Sequence, residues 1–353
     1  ANIKETIKDK IHKKWFKSND SQYIIHVGQT NSGKTYNAVK ELKQAKTGLY
    51  LCPLRLLAWE IYEDFVNDGL DCNLITGEEK IINPYAKITA STIEMCDYSK
   101  NYDVVIIDEC FMLSDKERGR SWLKAICEIN ADKIFLIVNE ESLSLVEKIL
   151  TDLNRNYEIK EHQRLVPLEI SPSTHSLKKI PPRSILITFS RIDVLIYKKL
   201  LENKGTKVSV LYGNLPPEVK KEQIQRFISG KSDIMISTDV IGMGLNLPCD
   251  NVIFLKTEKY DGDDDRQLYP FELKQIAGRA GRYLQSNQGT VSAIKHTDLN
   301  YIKKNFFAVQ PFKESFYGID KDIFLSLPHI KYYDRFKYFA TLTSIIPKHM
   351  QYI

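Results

Sequence analysis

Short apolar, β-branched runs recur along the chain, with room for a helix between most of them. In the first half they are YIIHV (23–27), GLYLC (48–52), CNLIT (72–76), KITAS (87–91), DVVIID (103–108) and KIFLIV (133–138). Strands that alternate with helical patterns predict a parallel sheet covered by helices on both faces. A stretch spaced by Pro167, Pro172, Pro181 and Pro182 follows. The alternation then restarts with SILITF (184–189), KVSVLY (207–212), DIMIST (233–238), NVIFLK (251–256) and GTVSAI (289–294). Two sheets on either side of a Pro-rich connection predict two α/β domains, with the cleft between them as the default site.

The two ends read differently. ANIKETIKDKIHKKWFKSND sets Ile3, Ile7, Ile11 and Trp15 at four-residue spacing among six lysines, which predicts a helix docked by one apolar face. It has acids, no arginine and no long apolar centre, so it does not read as a signal peptide. Beyond residue 295 the chain turns aromatic, with eleven such residues from Phe306 to Phe339, read as the packing residues of a short, mainly helical extension. The expected organisation is a helix over 1–20, a first domain over 21–163, a linker over 164–183, a second domain over 184–295 and the extension over 296–353.

Composition changes this picture little. With 353 residues and 43% hydrophobic content the chain can bury two or three cores. No apolar run reaches the roughly 18 residues of a membrane helix. Six scattered cysteines without a CxxC pair argue against a zinc site and for reduced thiols. The Lys-, Ile- and Asn-rich wording makes a bacterial or phage-infected cytoplasm the expected compartment, and the expected state is a monomer. Residues 1–163 carry a net charge of −4 and residues 164–353 a net +9, an asymmetry compatible with a polyanion on the second half.

The candidate chemistry begins at GQTNSGKT, a G-x-x-x-x-G-K-[ST] pattern directly after a strand and before a helical run. Gly28, Gln29, Thr30, Asn31, Ser32 and Gly33 would wrap backbone N–H groups around phosphate oxygens of ATP. Lys34 would neutralise the β- and γ-phosphates, and the Thr35 hydroxyl would ligate Mg2+. In VVIIDECF, with the loop lysine 74 residues upstream, Asp108 fits the second Mg2+ ligand and Glu109 the acid that acts on attacking water. In PFELKQIAGRAGRY, Gln275, Arg279 and Arg282 stand at i, i+4 and i+7 and would share one face of a helix, the arginines stabilising charge on the γ-phosphate. STDVIGMGLNLP carries Gly242, Gly244 and Asn246 where a coupling loop could approach the nucleotide. A P-loop kinase would have neither the second sheet nor this arginine segment.

These segments in this order resemble superfamily two helicases, and among them the mitochondrial degradosome RNA helicase family and its bacterial and phage relatives. PLRLLA, IGMGLNL and KQIAGRAGRY carry the likeness more specifically than the phosphate loop, and the similar stretches span most of residues 23 to 285. The resemblance implies two RecA-like domains in tandem and ATP-driven movement along a single strand, 3′ to 5′, that separates RNA duplexes and often accepts DNA. It implies strand contacts at Pro53 to Arg55 and Thr92, then at Ser190, Arg191 and Thr238, falling on phosphate and sugar, and the mitochondrial matrix as the alternative compartment.

Four departures stand out. Phe111 replaces the glutamine usual at the fourth position of the Asp-Glu motif. IVNEES keeps Glu140 but has Asn139 where a glycine is expected. The segment after 295 is shorter than the family's helical region, and no upstream glutamine motif reads adenine. Phe111 and the short tail favour an alternative, an ATP-gated clamp or assembly factor, working with single strands or a protein partner in a nucleic-acid-processing complex without productive unwinding.

Overall fold

The computed structural model describes residues 3–16, 19–30, 32–281, 288–327, 329–340 and 349–352. Chain packing divides it into two compact units, one of Ala1–Val27, Lys34–Glu161 and Pro311–Ile353, the other of Gly28–Gly33 and His162–Gln310.

In the first unit the elements run α1 (Ile3–Trp15), β1 (Gln22–Gly28), α2 (Tyr36–Gln44), β2 (Gly48–Cys52), α3 (Arg55–Asn67), β3 (Cys72–Ile75), β4 (Lys80–Ile81) and β5 (Ile88–Thr92). Then come β6 (Asn101–Ile107), α4 (Gly119–Glu128), β7 (Asn130–Val138), α5 (Glu140–Asp152) and β8 (Tyr157–His162). The sheet order is β4-β3-β5-β2-β6-β7-β1-β8. Val104 to Ile107 of β6 are buried on both faces because parallel neighbours β2 and β7 flank the strand and helices cover it. Ile24, Tyr50, Ile106, Phe135 and Ile137 share one core with Leu57, Ala58 and Phe65 of α3.

The second unit runs β9 (Leu168–Ile170), β10 (Ser184–Ile187), α6 (Arg191–Glu202), β11 (Val208–Leu211), α7 (Pro217–Ile228), β12 (Ile234–Ser237) and β13 (Asn251–Phe254). It continues through the hairpin β14 (Glu258–Tyr260) and β15 (Asp265–Gln267), then α8 (Pro270–Ala277), β16 (Gly289–Ala293) and α9 (His296–Asn305). Its sheet, β11-β12-β10-β13-β16-β9, is parallel throughout. All five strands expected from the apolar runs are present. The edge strand β9 was not expected, because LEI is three residues long and half-exposed.

The tail returns to the first unit. It holds α10 (Lys321–Leu325) and α11 (Tyr332–Ala340), and also β17 (Ser315–Tyr317) paired in parallel with β18 (Met350–Tyr352), so it is less helical than expected. β17 packs beside α4, and α1 packs against α4, α10 and α11. Ile7, Ile11 and Trp15 form the buried stripe of α1 that their spacing predicts. The aromatic residues of the tail divide: Phe306, Phe316, Tyr317 and Phe339 are buried, whereas Phe307, Tyr332, Tyr333 and Phe336 are exposed. Reading them all as packing was therefore too broad.

Lys14 fastens α1 to both α4 and the tail. Its ammonium lies 2.7 Å from Glu128 and 2.5 Å from Asp320. Burial would lower the Lys14 pKa, but the two carboxylates outweigh it and raise it. Glu128 is itself buried enough that its carboxyl stays above the ordinary range despite the pairing, whereas Asp320 is held below it. Lys14→Ala should cost about 2 kcal/mol, less than the full loss for a buried pair because Lys14 is half-open to water and Lys124 remains near Glu128. Chemical unfolding together with faster proteolysis of the tail checks this; an unchanged midpoint and unchanged cleavage would refute it.

Candidate active site

In the first unit, polar groups collect where parallel strands end. β1 feeds the Gly-rich segment, β7 lies beside it and β6 is next. Lys34 Nζ donates to the carbonyl of Val138, at the end of β7, at 3.4 Å. Thr35 precedes α2, and its hydroxyl takes no part in capping that helix.

Asp108 follows β6 and is 5% exposed. Its Oδ2 accepts from the Tyr50 hydroxyl, and its Oδ1 accepts from the Glu109 N–H at 2.8 Å. Trp122 Nε1 donates to its carbonyl at 2.8 Å. Burial, then the charge of Asp108, pushes the Tyr50 phenol well above its ordinary pKa, so it remains a donor. Carboxylate oxygens are the donor chemistry that a hard cation such as Mg2+ takes.

Glu109 lies in the left-handed region at φ 51°, ψ 51°. A non-glycine residue there costs on the order of 1–3 kcal/mol, and such strain concentrates at functional sites. It turns the chain out of β6 into the tight turn Cys110–Ser114, where Phe111 is half-buried and Ser114 Oγ donates to its carbonyl at 3.1 Å.

Asn139 has a local reason. It caps α5, accepting from Ser142 N at 3.1 Å, while its own N–H donates to Ser142 Oγ at 3.3 Å. A reciprocal capping box thus occupies the position where a glycine was expected. Glu140 is exposed, whereas the adjacent Glu141 is buried.

Pro53 and Thr92 stand at the ends of paired strands β2 and β5 and are both buried. Arg118 links this edge, donating to the Pro53 carbonyl at 2.7 Å and to Glu94 at 2.8 Å. Arg55 pairs with Glu78.

In the second unit Ser190 caps α6, accepting from Asp193 N at 3.0 Å, and Arg191 is exposed over the Tyr212 ring. Thr238 is buried at the end of β12, Gly244 has φ 85° and Asn246 is exposed. The expected helical stripe through Gln275, Arg279 and Arg282 is corrected: α8 stops at Ala277, and residues 278–280 continue as a tighter turn. Gln275 and Arg279 still meet one loop. A Cβ on Gly242 would lie 3.5 Å from Gln275 Cβ, and the Arg279 guanidinium donates to the carbonyls of Leu245 at 3.3 Å and Gly242 at 3.4 Å. Arg282 and Asn31 lie outside the described residues.

The glycines of this segment have a packing cause. A Cβ on Gly278 would lie 2.5 Å from Thr30 Cβ, and one on Gly281 would lie 2.8 Å from Gly289 N and 2.9 Å from Val166 Cγ1. Gly281 also sits at φ 79°. Thr30 is buried and Gln29 exposed, while Ser32 is buried with its Oγ 2.6 Å from where a Gly28 Cβ would stand. Gly33 has φ 74°.

Two arginines escaped the sequence reading. Arg118 bonds to the Pro53 carbonyl and to Glu94, and Arg164 bonds to backbone carbonyls, which leave no mark on sequence. A third feature, Glu272 at the start of α8, binds Arg266 of β15 at 2.8 Å and Lys259 of β14 at 3.0 Å, and Lys259 also reaches Asp239 at 3.0 Å. The hairpin, α8 and the loop after β12 therefore share one charge network.

Comparison with known proteins agrees with this architecture. Residues 13–162 match the DEXQ-box helicase domain of Suv3, and residues 169–284 match the helicase conserved C-terminal domain. The chain is 40% identical over 288 residues to the mitochondrial ATP-dependent RNA helicase SUV3 of Candida albicans, covering 79% of this chain and 40% of that one. It is 40% identical over 296 residues to the mitochondrial DExH-box ATP-dependent RNA helicase DExH16 of Arabidopsis thaliana, covering 82% and 52%. Against human mitochondrial SUPV3L1 the identity is 35% over 294 residues, covering 80% and 37%. The chain thus spans about half or less of the length of these relatives. A solved S. cerevisiae Dbp5 variant bound to RNA and ADP BeF3 shares the fold at a TM-score of 0.58 and 17% identity, covering 98% of this chain and 89% of that one.

Burial alone would raise the Glu272 pKa, but Arg266 and Lys259 outweigh it and hold it below 4.5. Its contribution to stability is therefore full above 4.5 and is lost as pH falls through the lower native value. Glu272→Gln should lower the melting temperature by about 2–4 °C at pH 7. The gap to wild type should narrow as the pH drops below 4.5; a gap independent of pH in thermal melts would refute the assignment.

Proposed function

We propose that this chain, which belongs to the Suv3-type DEXQ-box helicase family, hydrolyses ATP to move along a single strand of nucleic acid from 3′ toward 5′, opening RNA duplexes and accepting DNA. The observation that carries this reading is Asp108 and Glu109 at the end of β6, in one parallel sheet with the strand that feeds the phosphate loop. In this reading Gly28 to Gly33 surround the phosphates with backbone N–H groups, and Lys34 neutralises the β- and γ-phosphates. Thr35 and Asp108 would hold Mg2+, which supplies positive charge to the phosphate oxygens when bound. Glu109 takes up the proton of the attacking water. Arg279 and Arg282 stabilise charge on the γ-phosphate as it departs, and Gln275, Gly244 and Asn246 complete the nucleotide contacts.

Pro53, Arg55 and Thr92, with Ser190, Arg191 and Thr238, take the phosphate and sugar of the strand. Their contacts are largely blind to sequence, so binding weakens steeply with salt. The named relatives are mitochondrial proteins, which supports the matrix as the compartment and leaves the expected bacterial or phage-infected cytoplasm without support. We read the protein as a monomer that joins partners in a nucleic-acid-processing complex.

Phe111 favours a second reading. A glutamine there could hydrogen-bond and report nucleotide state, whereas a phenylalanine can only pack. The protein would then act as an ATP-gated clamp that grips strands with loose coupling to unwinding.

ATPase and unwinding measured side by side, on matched RNA and DNA with 3′ and 5′ tails, separate these readings. Strand-stimulated hydrolysis with opening of 3′-tailed duplexes supports the helicase; grip without opening supports the clamp. Lys34→Ala should abolish hydrolysis, and Glu109→Gln should bind ATP yet turn over at least about a hundredfold more slowly. Normal turnover by either variant would remove those roles. Phe111→Gln should raise strand stimulation of the ATPase; unchanged stimulation and unwinding would dismiss loose coupling.

A further inference from the structure

Arg164 stands just after β8, in the segment leading to β9, and has no counterpart among the residues that the motifs singled out. Its Nη1 donates to the carbonyl of Thr30 at 2.8 Å and to that of Gly278 at 3.0 Å, and its Nη2 donates to the carbonyl of Ala280. All of these residues belong to the second compact unit, which includes Gly28–Gly33. Among the described residues no carboxylate forms an ion pair with Arg164, so its partners are the dipoles of three peptide groups. Its Nε is also buried without an acceptor.

A buried guanidinium without a counter-charge is costly, and the fold does not relieve the cost locally. Burial, then the nearby charge of Arg279, pulls the Arg164 pKa down to about 10, still far above neutrality, so the group stays charged. The space around it is made by glycine. Any side chain at Gly278 would strike Thr30, and any at Gly281 would strike Val166, two residues beyond Arg164. The Gly28–Gly33 segment, the turn after α8 and the segment after β8 therefore meet around one planar fork. A guanidinium can span several carbonyls at fixed angles, which an ammonium at the end of a flexible stem cannot.

We propose that Arg164 is a positioning residue that pre-forms the phosphate loop by holding the carbonyl of Thr30 in register with those of Gly278 and Ala280. Fixing that carbonyl fixes the plane of the peptide to which it belongs, because the peptide group is rigid. A loop already held in one shape loses less conformational freedom when it closes on phosphates, so the benefit appears as nucleotide affinity. The role differs from that assigned to Arg279, whose benefit would appear only as charge develops on the γ-phosphate. The inference rests on the ATPase reading above.

The test measures Mg-ATP hydrolysis and the binding of fluorescent ADP and of a non-hydrolysable ATP analogue by wild type, Arg164→Ala and Arg164→Lys. Both variants should bind both nucleotides about tenfold more weakly, with the loss in KM rather than kcat, because the fork that ties the Thr30 carbonyl to those of Gly278 and Ala280 is gone. A loss confined to kcat, or to the triphosphate alone, would overturn the proposal in favour of direct contact with the γ-phosphate. Wild-type affinity in Arg164→Lys would overturn the need for a fork. If Arg164→Ala fails to fold, Arg164→Lys, which keeps the charge and the stem, carries the same comparison. Wild-type protein that neither binds nor hydrolyses ATP would instead refute the ATPase reading, so the two failures are distinguishable.

Discussion

Burial of β6 on both faces fixes where the chemistry of the first unit can occur. The run Val104 to Ile107, enclosed by β2, β7 and helices, has no room for charge, so acids stand only at its two ends, Asp103 before it and Asp108 and Glu109 after it. The same sheet brings the end of β7 to Lys34 and sets the ends of β2 and β5 at Pro53 and Thr92. Tyr50 belongs to this constraint as well, since only a neutral phenol can sit beside Asp108 in so dry a place.

Much of this was legible in sequence because it follows from local composition. Continuous apolar runs marked eleven strands, and the Gly-rich segment follows β1 and precedes α2 as its pattern predicts. What escaped falls into two kinds. Short or exposed strands such as β9, β17 and β18 owe their existence to a partner edge, not to their own residues. The end of α8 was also misjudged: spacing suggested one helical face through Arg279 and Arg282, whereas close packing at Gly278 and the positive φ of Gly281 end the helix earlier.

Asn139 shows the opposite error, in which a difference from a pattern looked like a loss. The side chain forms a reciprocal cap with Ser142, so the substitution strengthens the start of α5. In the proposed reading the consequence of Phe111 lies in coupling. Arg164 could not be ranked above other arginines from sequence, since carbonyl acceptors are present at every position.

The return of the tail to α4 makes the second unit an insertion within the first, with Gly28–Gly33 as an earlier excursion. On a ribosome α1 and α4 emerge early, yet Asp320 and β17 follow only after the whole second unit has been made. The outer layer of the first unit must therefore wait, its Glu128 paired with Lys14 but its apolar face uncovered. Synthesis order sets a period of vulnerability that a chain with its domains laid end to end would avoid, and a chaperone or prompt folding of the inserted unit would shorten it.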